Sequence, residues 1–279
     1  MAPNGTEQLR QEGTDAGQVL AAPDFDTSVP NAARIYDALL GGKDNFAADR
    51  EVAEKVIKVV PHSALACHRN RAFLGRAVRH LANVGIHQYL DIGSGLPTQD
   101  NVHQIAHQAA PGSRVVYVDY DPLVVGHARA LLSDAANGVM AIPGDLRAPG
   151  KIIGDARQLL DFTKPVAVLL FAILHFLTDD EQPHGVVRSL VKALPPGSAL
   201  AISHLTSDGS EPDTDQAARE AYEGASAPVV PRTLEEVSRF FDGLTLANPG
   251  VVDINLWPKA VPGYGGPLTF YGSVGTSTS

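Results

Sequence analysis

The chain has 279 residues, 44% hydrophobic and 19% charged, which is enough apolar material for one large α/β domain with a substantial core. Its formal net charge of −9 argues against a nucleic-acid phosphate backbone as the main partner, since that calls for a basic surface. A single cysteine, Cys67, excludes an intrachain disulfide framework and a cysteine metal cluster. No apolar run approaches the length of a transmembrane helix, and no basic start precedes an apolar segment, so the expectation is a soluble cytoplasmic protein with no membrane partner.

Residues 1–28 are poor in large apolar side chains and rich in Gly, Gln, Thr, Asp and Ala, the composition of a flexible tail. Residues 29–84 read as a helical cap. Its first helix runs from Asn31, with Ile35, Leu39 and Leu40 on one face, and ends at Gly41-Gly42. Lys43 to Phe46 is a polar loop, and Asp49 to Val60 is a second helix with Val52 and Val56 on one face. Arg34, Tyr36, Asp37, Lys43, Asp44, Asn45, Asp49 and Arg50 crowd hydrogen-bonding groups into this stretch. They read either as caps and surface ion pairs or as a lid over a ligand. His68 to Val84 is a third helix with a basic face, expected to be solvated.

The next stretch, Tyr89-Leu90-Asp91-Ile92-Gly93-Ser94-Gly95-Leu96-Pro97, reads as a buried strand, a tight glycine turn and a helix opening near Pro97. Gly93 and Gly95 admit positive φ and close approach of a ligand to the backbone. Free N–H groups at the helix start would favour a polar or anionic group. A dinucleotide fingerprint would place a third glycine at Thr98, so that fingerprint is incomplete. Asp91 would also repel a pyrophosphate, whereas a carboxylate beside a cation is favourable. S-adenosylmethionine carries a sulfonium and an ammonium and no phosphate, and the local charge favours it over NAD.

From here strands and helices alternate, the pattern of a parallel, doubly wound sheet across residues 85–279. Gln99 to Ala110 is a helix and Arg114 to Asp119 a second strand, so Asp119 falls about 25 residues after the glycines, where such folds place a carboxylate on ribose hydroxyls. Tyr120-Asp121-Pro122 opens the next helix. Gly138 to Pro143 is a third strand, followed by Gly144-Asp145-Leu146. Pro165 to Phe171 is a continuous apolar run suited to a central strand, and Ala172 to Leu177 turns towards a helix near Asp179. A strand from Ala199 to His204 and a helix through Tyr222 follow. Thr233 and Glu236 then form a capping box, and Gly243 to Leu256 and Pro267 to Val274 are terminal strands.

Three signals therefore lie in order on one alternating chain: Asp91-x-Gly93-x-Gly95, Asp119, and Gly144-Asp145-Leu146. Together they resemble the class I S-adenosylmethionine-dependent methyltransferases over about residues 85–205. The segment from Pro30 to Arg50 further resembles the hallmark of an actinobacterial branch, an S-adenosyl methyltransferase family with no assigned substrate, extending the likeness over about residues 30–275. The resemblance implies a Rossmann-like, mostly parallel seven-stranded sheet with an N-terminal helical cap. It implies S-adenosyl-L-methionine as cofactor, S-adenosyl-L-homocysteine as product and a small-molecule methyl acceptor, methylated on oxygen or nitrogen.

By position, the resemblance puts the backbone of Gly93, Ser94 and Gly95 against the methionine part and ribose, and Asp91 on the amino group. Asp119 takes the ribose diol and Tyr120 flanks the adenine. Asp145 and the Leu146 N–H meet the adenine edge. Phe171, Ala172 and Ile173 line the methyl-donor end, and Tyr36, Gly42 and Asn45 close over the methionine tail. One departure is Pro97, which stands where many members have a third glycine. A homodimer is compatible with the family and no residue specifies it.

Each assignment has a plainer counterpart. Asp91 reads also as a helix-capping carboxylate, and Asp119 and Asp145 as turn formers. His175 is the one candidate for a general base, although a histidine at a strand-to-helix turn is commonly structural. His103 and His107 lie four apart on a helix without an evident third ligand, so no metal site is expected. Two other classes remain open: a non-catalytic S-adenosylmethionine-binding regulator and an NAD-dependent oxidoreductase.

Overall fold

The computed structural model describes residues 26–97, 100–263 and 266–277. Most of the expected flexible tail, and the expected start of a helix at Gln99, lie outside the described residues. Three helices come first, α1 (Ala32–Leu39), α2 (Ala47–Val59) and α3 (Ser63–Asn83). The alternating part comprises β1 (Gln88–Ile92), α4 (Val102–Ala109), β2 (Arg114–Asp119), α5 (Pro122–Leu131), β3 (Val139–Pro143), α6 (Pro149–Ala156), β4 (Ala167–Phe171), α7 (Pro183–Lys192) and β5 (Ala199–Leu205). It closes with α8 (Pro212–Ala221), α9 (Leu234–Ser238), β6 (Thr245–Leu246), β7 (Val252–Asp253) and β8 (Phe270–Thr276). Among the described residues no helix is long and apolar enough to cross a membrane.

The sheet runs in the order β3-β2-β1-β4-β5-β8-β6. The first five strands along it pair in parallel, and β8 inserts antiparallel between β5 and β6. This is the doubly wound Rossmann-like arrangement. The strand count is eight rather than seven because the two-residue β7 also pairs with β8. Strand alternation sorts the core into two layers. Tyr89, Val115, Tyr117, Ala167 and Leu169 face one way, against Phe73, Leu74, Ala77 and Val78 of α3 and Ile105 and Ala106 of α4. Leu90, Val116, Val118, Val168 and Leu170 face the other way, against Ile152 and Ile153 of α6 and Val187 and Leu190 of α7. Both faces are covered, which is why these strands read as continuous apolar runs.

The cap has a small core of its own, where Ile35, Leu39, Val52, Ala53 and Val56 meet Cys67 and Ala221. Its polar residues lock it internally. Asn31 caps α1 by accepting from Ala33 N and Arg34 N. Asp49, fully buried, accepts from Phe46 N at 2.8 Å and Asn31 N at 2.9 Å, and pairs with Arg34 Nε at 3.2 Å. Asp37 accepts from Asp44 N at 3.0 Å and Asn45 Nδ2 at 2.8 Å. A Cβ on Gly42 would sit 2.0 Å from Asp37 Oδ1, so only glycine closes this loop.

Two expectations change. The helix after the glycine turn begins at Val102, not near Pro97, because Asn101 and Gln104 form the capping box there. The basic face of α3 is not simply solvated. Arg76 donates to the carbonyls of Trp257 at 2.8 Å and Ile254 at 2.7 Å, and Arg71 donates to the Asp100 carbonyl at 3.0 Å while lining a cavity at the strand ends.

Candidate active site

The parallel order reverses between β1 and β4, and the crevice at the carboxyl ends of these strands is where such sheets bind ligands. A cavity of about 310 Å³ lies there. Asp91, Gly93, Ser94 and Gly95 enter it from the end of β1, Asp119 and Tyr120 from the end of β2, and Asp145 and Leu146 after β3. Phe171, Ala172 and Ile173 enter after β4, and Tyr36 from α1.

The glycine turn is tight for a stated reason. Gly93 and Gly95 hold φ of 73° and 65°, and a Cβ on Gly93 would lie 2.5 Å from Ile173 Cγ1. The N–H groups of Gly93, Ser94 and Gly95 are already paired. Gly93 N and Ser94 N donate to the Val118 carbonyl at 2.8 Å and 3.2 Å, and Gly95 N donates to Asp119 Oδ2 at 3.0 Å. Asp119 Oδ1 in turn accepts from Asp121 N at 3.0 Å. The ends of β1 and β2 are thus stitched together by one carboxylate. Opposite, Ala172 adopts φ of 52°, a left-handed conformation that is uncommon for alanine, held by Ser203 through its carbonyl at 3.1 Å and Oγ at 3.0 Å.

Electrostatically the floor is anionic and desolvated. Burial pushes the Asp91 carboxyl up to about 7, Arg71 beside it opposes the rise, and Asp119 adds to it. Burial likewise raises Asp119 to about 6, against the hydrogen bonds from Asp121, Gly95 and Tyr120. Among the described residues no hydrogen bond reaches the Asp91 side chain. Asp145 is tied down differently, accepting from Arg147 N at 2.9 Å and pairing with its guanidinium at 3.2 Å. Arg147 also bonds Glu181, which joins the segments after β3 and β4.

Three residues expected at the site are not in the cavity wall. Gly42 and Asn45 turn inward to Asp37 and build the cap loop instead. His175 is buried behind the wall: its Nδ1 accepts from Leu205 N at 3.4 Å, and its ring lies among Phe176, His204 and Phe270. Burial, with His204 and Arg232 nearby, holds its imidazole well below the ordinary range, and nothing places it at a reacting atom. His103 contacts the Tyr117 hydroxyl at 2.9 Å, and His107 Nε2 contacts the Ser113 carbonyl at 2.9 Å.

Lining residues that sequence reasoning missed are Asn31, Asn70, Arg71, Arg147, Phe176 and Ser226. Arg147 follows the Gly144-Asp145-Leu146 signal directly and was legible there. Asn70 and Leu74 share a helix face one turn apart, but nothing local tells that face from a core stripe.

A family model described as S-adenosyl methyltransferase matches residues 18–273. The chain belongs to this S-adenosyl methyltransferase family. A DUF574 family protein from Streptomyces avermitilis is 37% identical, with a TM-score of 0.85 over 90% of this chain and 99% of that one. A candidate methyltransferase from Thermobifida fusca is 40% identical, with a TM-score of 0.85 over 94% of this chain and 100% of that one. No curated protein matches the chain. The family's cofactor is S-adenosylmethionine. The cavity fits it on its own chemistry: two buried carboxylates suit a cationic ligand better than a pyrophosphate, and the N–H groups of Gly93, Ser94 and Gly95 are already paired within the protein.

Proposed function

We propose that the protein transfers the methyl group of S-adenosylmethionine to an oxygen or nitrogen of a small-molecule acceptor. The observation that carries this reading is the convergence of Asp91, Gly93 to Gly95, Asp119 and Asp145 on one cavity, closed above by Tyr36 of the cap. When bound, the cofactor supplies a methyl carbon activated by a sulfonium that leaves as a neutral thioether. Asp91 holds the amino group of the methionine part, and Arg71 beside it takes the carboxylate. Asp119 keeps lone pairs for the ribose diol beyond those its backbone partners use. Tyr120, 54% exposed despite its size, offers its ring to the adenine, with Asp145 and Leu146 at the adenine edge. Phe171, Ala172 and Ile173 wall the methyl-donor end.

With no histidine in the wall among the described residues, orientation supplies the acceleration: holding acceptor and methyl in line can contribute about 7 to 11 kcal/mol. The net charge of −9 supports a small acceptor over a nucleic acid. Calorimetric titration with S-adenosylmethionine, S-adenosylhomocysteine and NAD, repeated on Asp119→Ala, tests the reading. We expect the two adenosyl ligands to bind, the variant to lose them, and NAD to be silent. Binding of NAD alone would overturn the proposal.

A further inference from the structure

The cavity has two unlike walls. Its floor, from the ends of β1 and β2 and the segment after β3, carries the carboxylates of Asp91, Asp119 and Asp145. Its roof comes from α1, α3 and residues 226–227, and offers Ala33, Tyr36, Asn70, Leu74, Ser226 and Ala227. Phe176 lines the same cavity. Arg71 on α3 and Tyr36 on α1 also face the cofactor's methionine part, whereas Asn70, Leu74, Ser226 and Ala227 lie outside the glycine turn and the strand-end acids and can serve another molecule.

Within this roof one polar atom is left over. The Tyr36 hydroxyl donates to the Cys67 carbonyl at 3.1 Å and accepts from Asn70 Nδ2 at 3.0 Å. That pairing turns the amide so that Oδ1 points away from Tyr36. Asn70 is only 2% exposed, and its Oδ1 is buried without a partner among the described residues. An acceptor left unpaired costs about 1 to 3 kcal/mol, which a ligand donor would recover. No cation in the wall is placed to read an anionic acceptor: Arg71 lies beside Asp91, and Arg147 pairs with Asp145 and Glu181. Phe171, Phe176 and Tyr36 supply aromatic surface suited to a ring.

We propose that this roof is the acceptor subsite, selecting a neutral, flat molecule whose N–H or O–H donates a hydrogen bond to Asn70 Oδ1. This rests on the methyltransferase reading above. Asn70 recognises the donor group, Tyr36 fixes the amide, and the aromatic residues hold the ring.

Protein saturated with S-adenosylhomocysteine is titrated with two matched pairs of probes, aniline against N,N-dimethylaniline and phenol against anisole. Aniline and phenol are expected to bind about tenfold more tightly than their methylated partners, the worth of one buried hydrogen bond. The preference disappears in Asn70→Leu, while affinity for S-adenosylhomocysteine stays at the wild-type value. The proposal is overturned if matched probes bind alike or none binds. It is equally overturned if Asn70→Leu weakens S-adenosylhomocysteine and leaves the preference intact, which would put Asn70 on the methionine part. The wild-type comparison stands even where the variant fails to fold. Absence of S-adenosylhomocysteine binding to the wild type would sink the methyltransferase reading itself, whereas binding without probe preference sinks only the acceptor subsite.

Discussion

Asp91 is where function and stability oppose each other most directly. Its carboxyl, at 3.8 in water, is pushed up to about 7 by burial, which corresponds to about 4 kcal/mol against the charged form in the ligand-free protein. The folded state holds this proton while the unfolded chain releases it, so ligand-free stability falls as pH rises between about 4 and 7. Asp91→Asn removes the charge and keeps the shape. At pH 8 the variant is expected to be more stable by about 2 kcal/mol, with 4 as the ceiling, raising the unfolding midpoint by roughly 4 to 8 °C. At pH 5 most of that gain is gone, because Asp91 in the wild type is then protonated when folded. The same variant is expected to bind S-adenosylhomocysteine about tenfold to a hundredfold more weakly, having lost a charge-assisted partner for the amino group. Thermal unfolding of both proteins at the two pH values, with calorimetry at pH 8, makes the comparison. A variant less stable than the wild type at pH 8, or a gap that does not widen with pH, would refute the desolvation argument.

Further substitutions probe other parts of the design. Gly93→Ala forces a Cβ to within 2.5 Å of Ile173 at a φ of 73°, so calorimetry is expected to show S-adenosylhomocysteine binding lost in a protein that still folds. Arg34→Met leaves the buried Asp49 without its counter-ion at a cost of about 3 to 5 kcal/mol. Hydrogen exchange should show α1 and α2 opening first, and uniform exchange across the chain would contradict the separate cap core. His175→Gln is expected to lower the thermal midpoint and leave S-adenosylhomocysteine affinity unchanged; a matching loss of affinity would return the histidine to the site.

The convergence of these acidic and glycine signals on one cavity was legible in the sequence because they sit at strand ends, where chain order and period fix their place. Asp91, Gly93, Asp119 and Asp145 each follow an apolar run, and parallel strands in one sheet bring all such ends to the same edge. Thr233 and Glu236 were legible for a similar local reason, and Thr233 N does donate to Glu236 Oε2 at 2.8 Å. The polar cluster around Gly42 and Asn45 was not. Caps and lids draw on the same residue types, and only packing reveals that Asp37 gathers these groups inward.

The sequence alone, through alternation of apolar runs with glycine turns and acidic residues, determined the doubly wound fold and the charge of the cavity floor. Tertiary structure decided the rest. It spent the turn's N–H groups on Val118 and Asp119, buried His175 behind the wall, and brought Asn70 and Arg71 from a distant helix over the strand ends. Those outcomes depend on contacts between segments far apart in the chain, and hydrophobic periodicity carries no record of which helix face meets which loop.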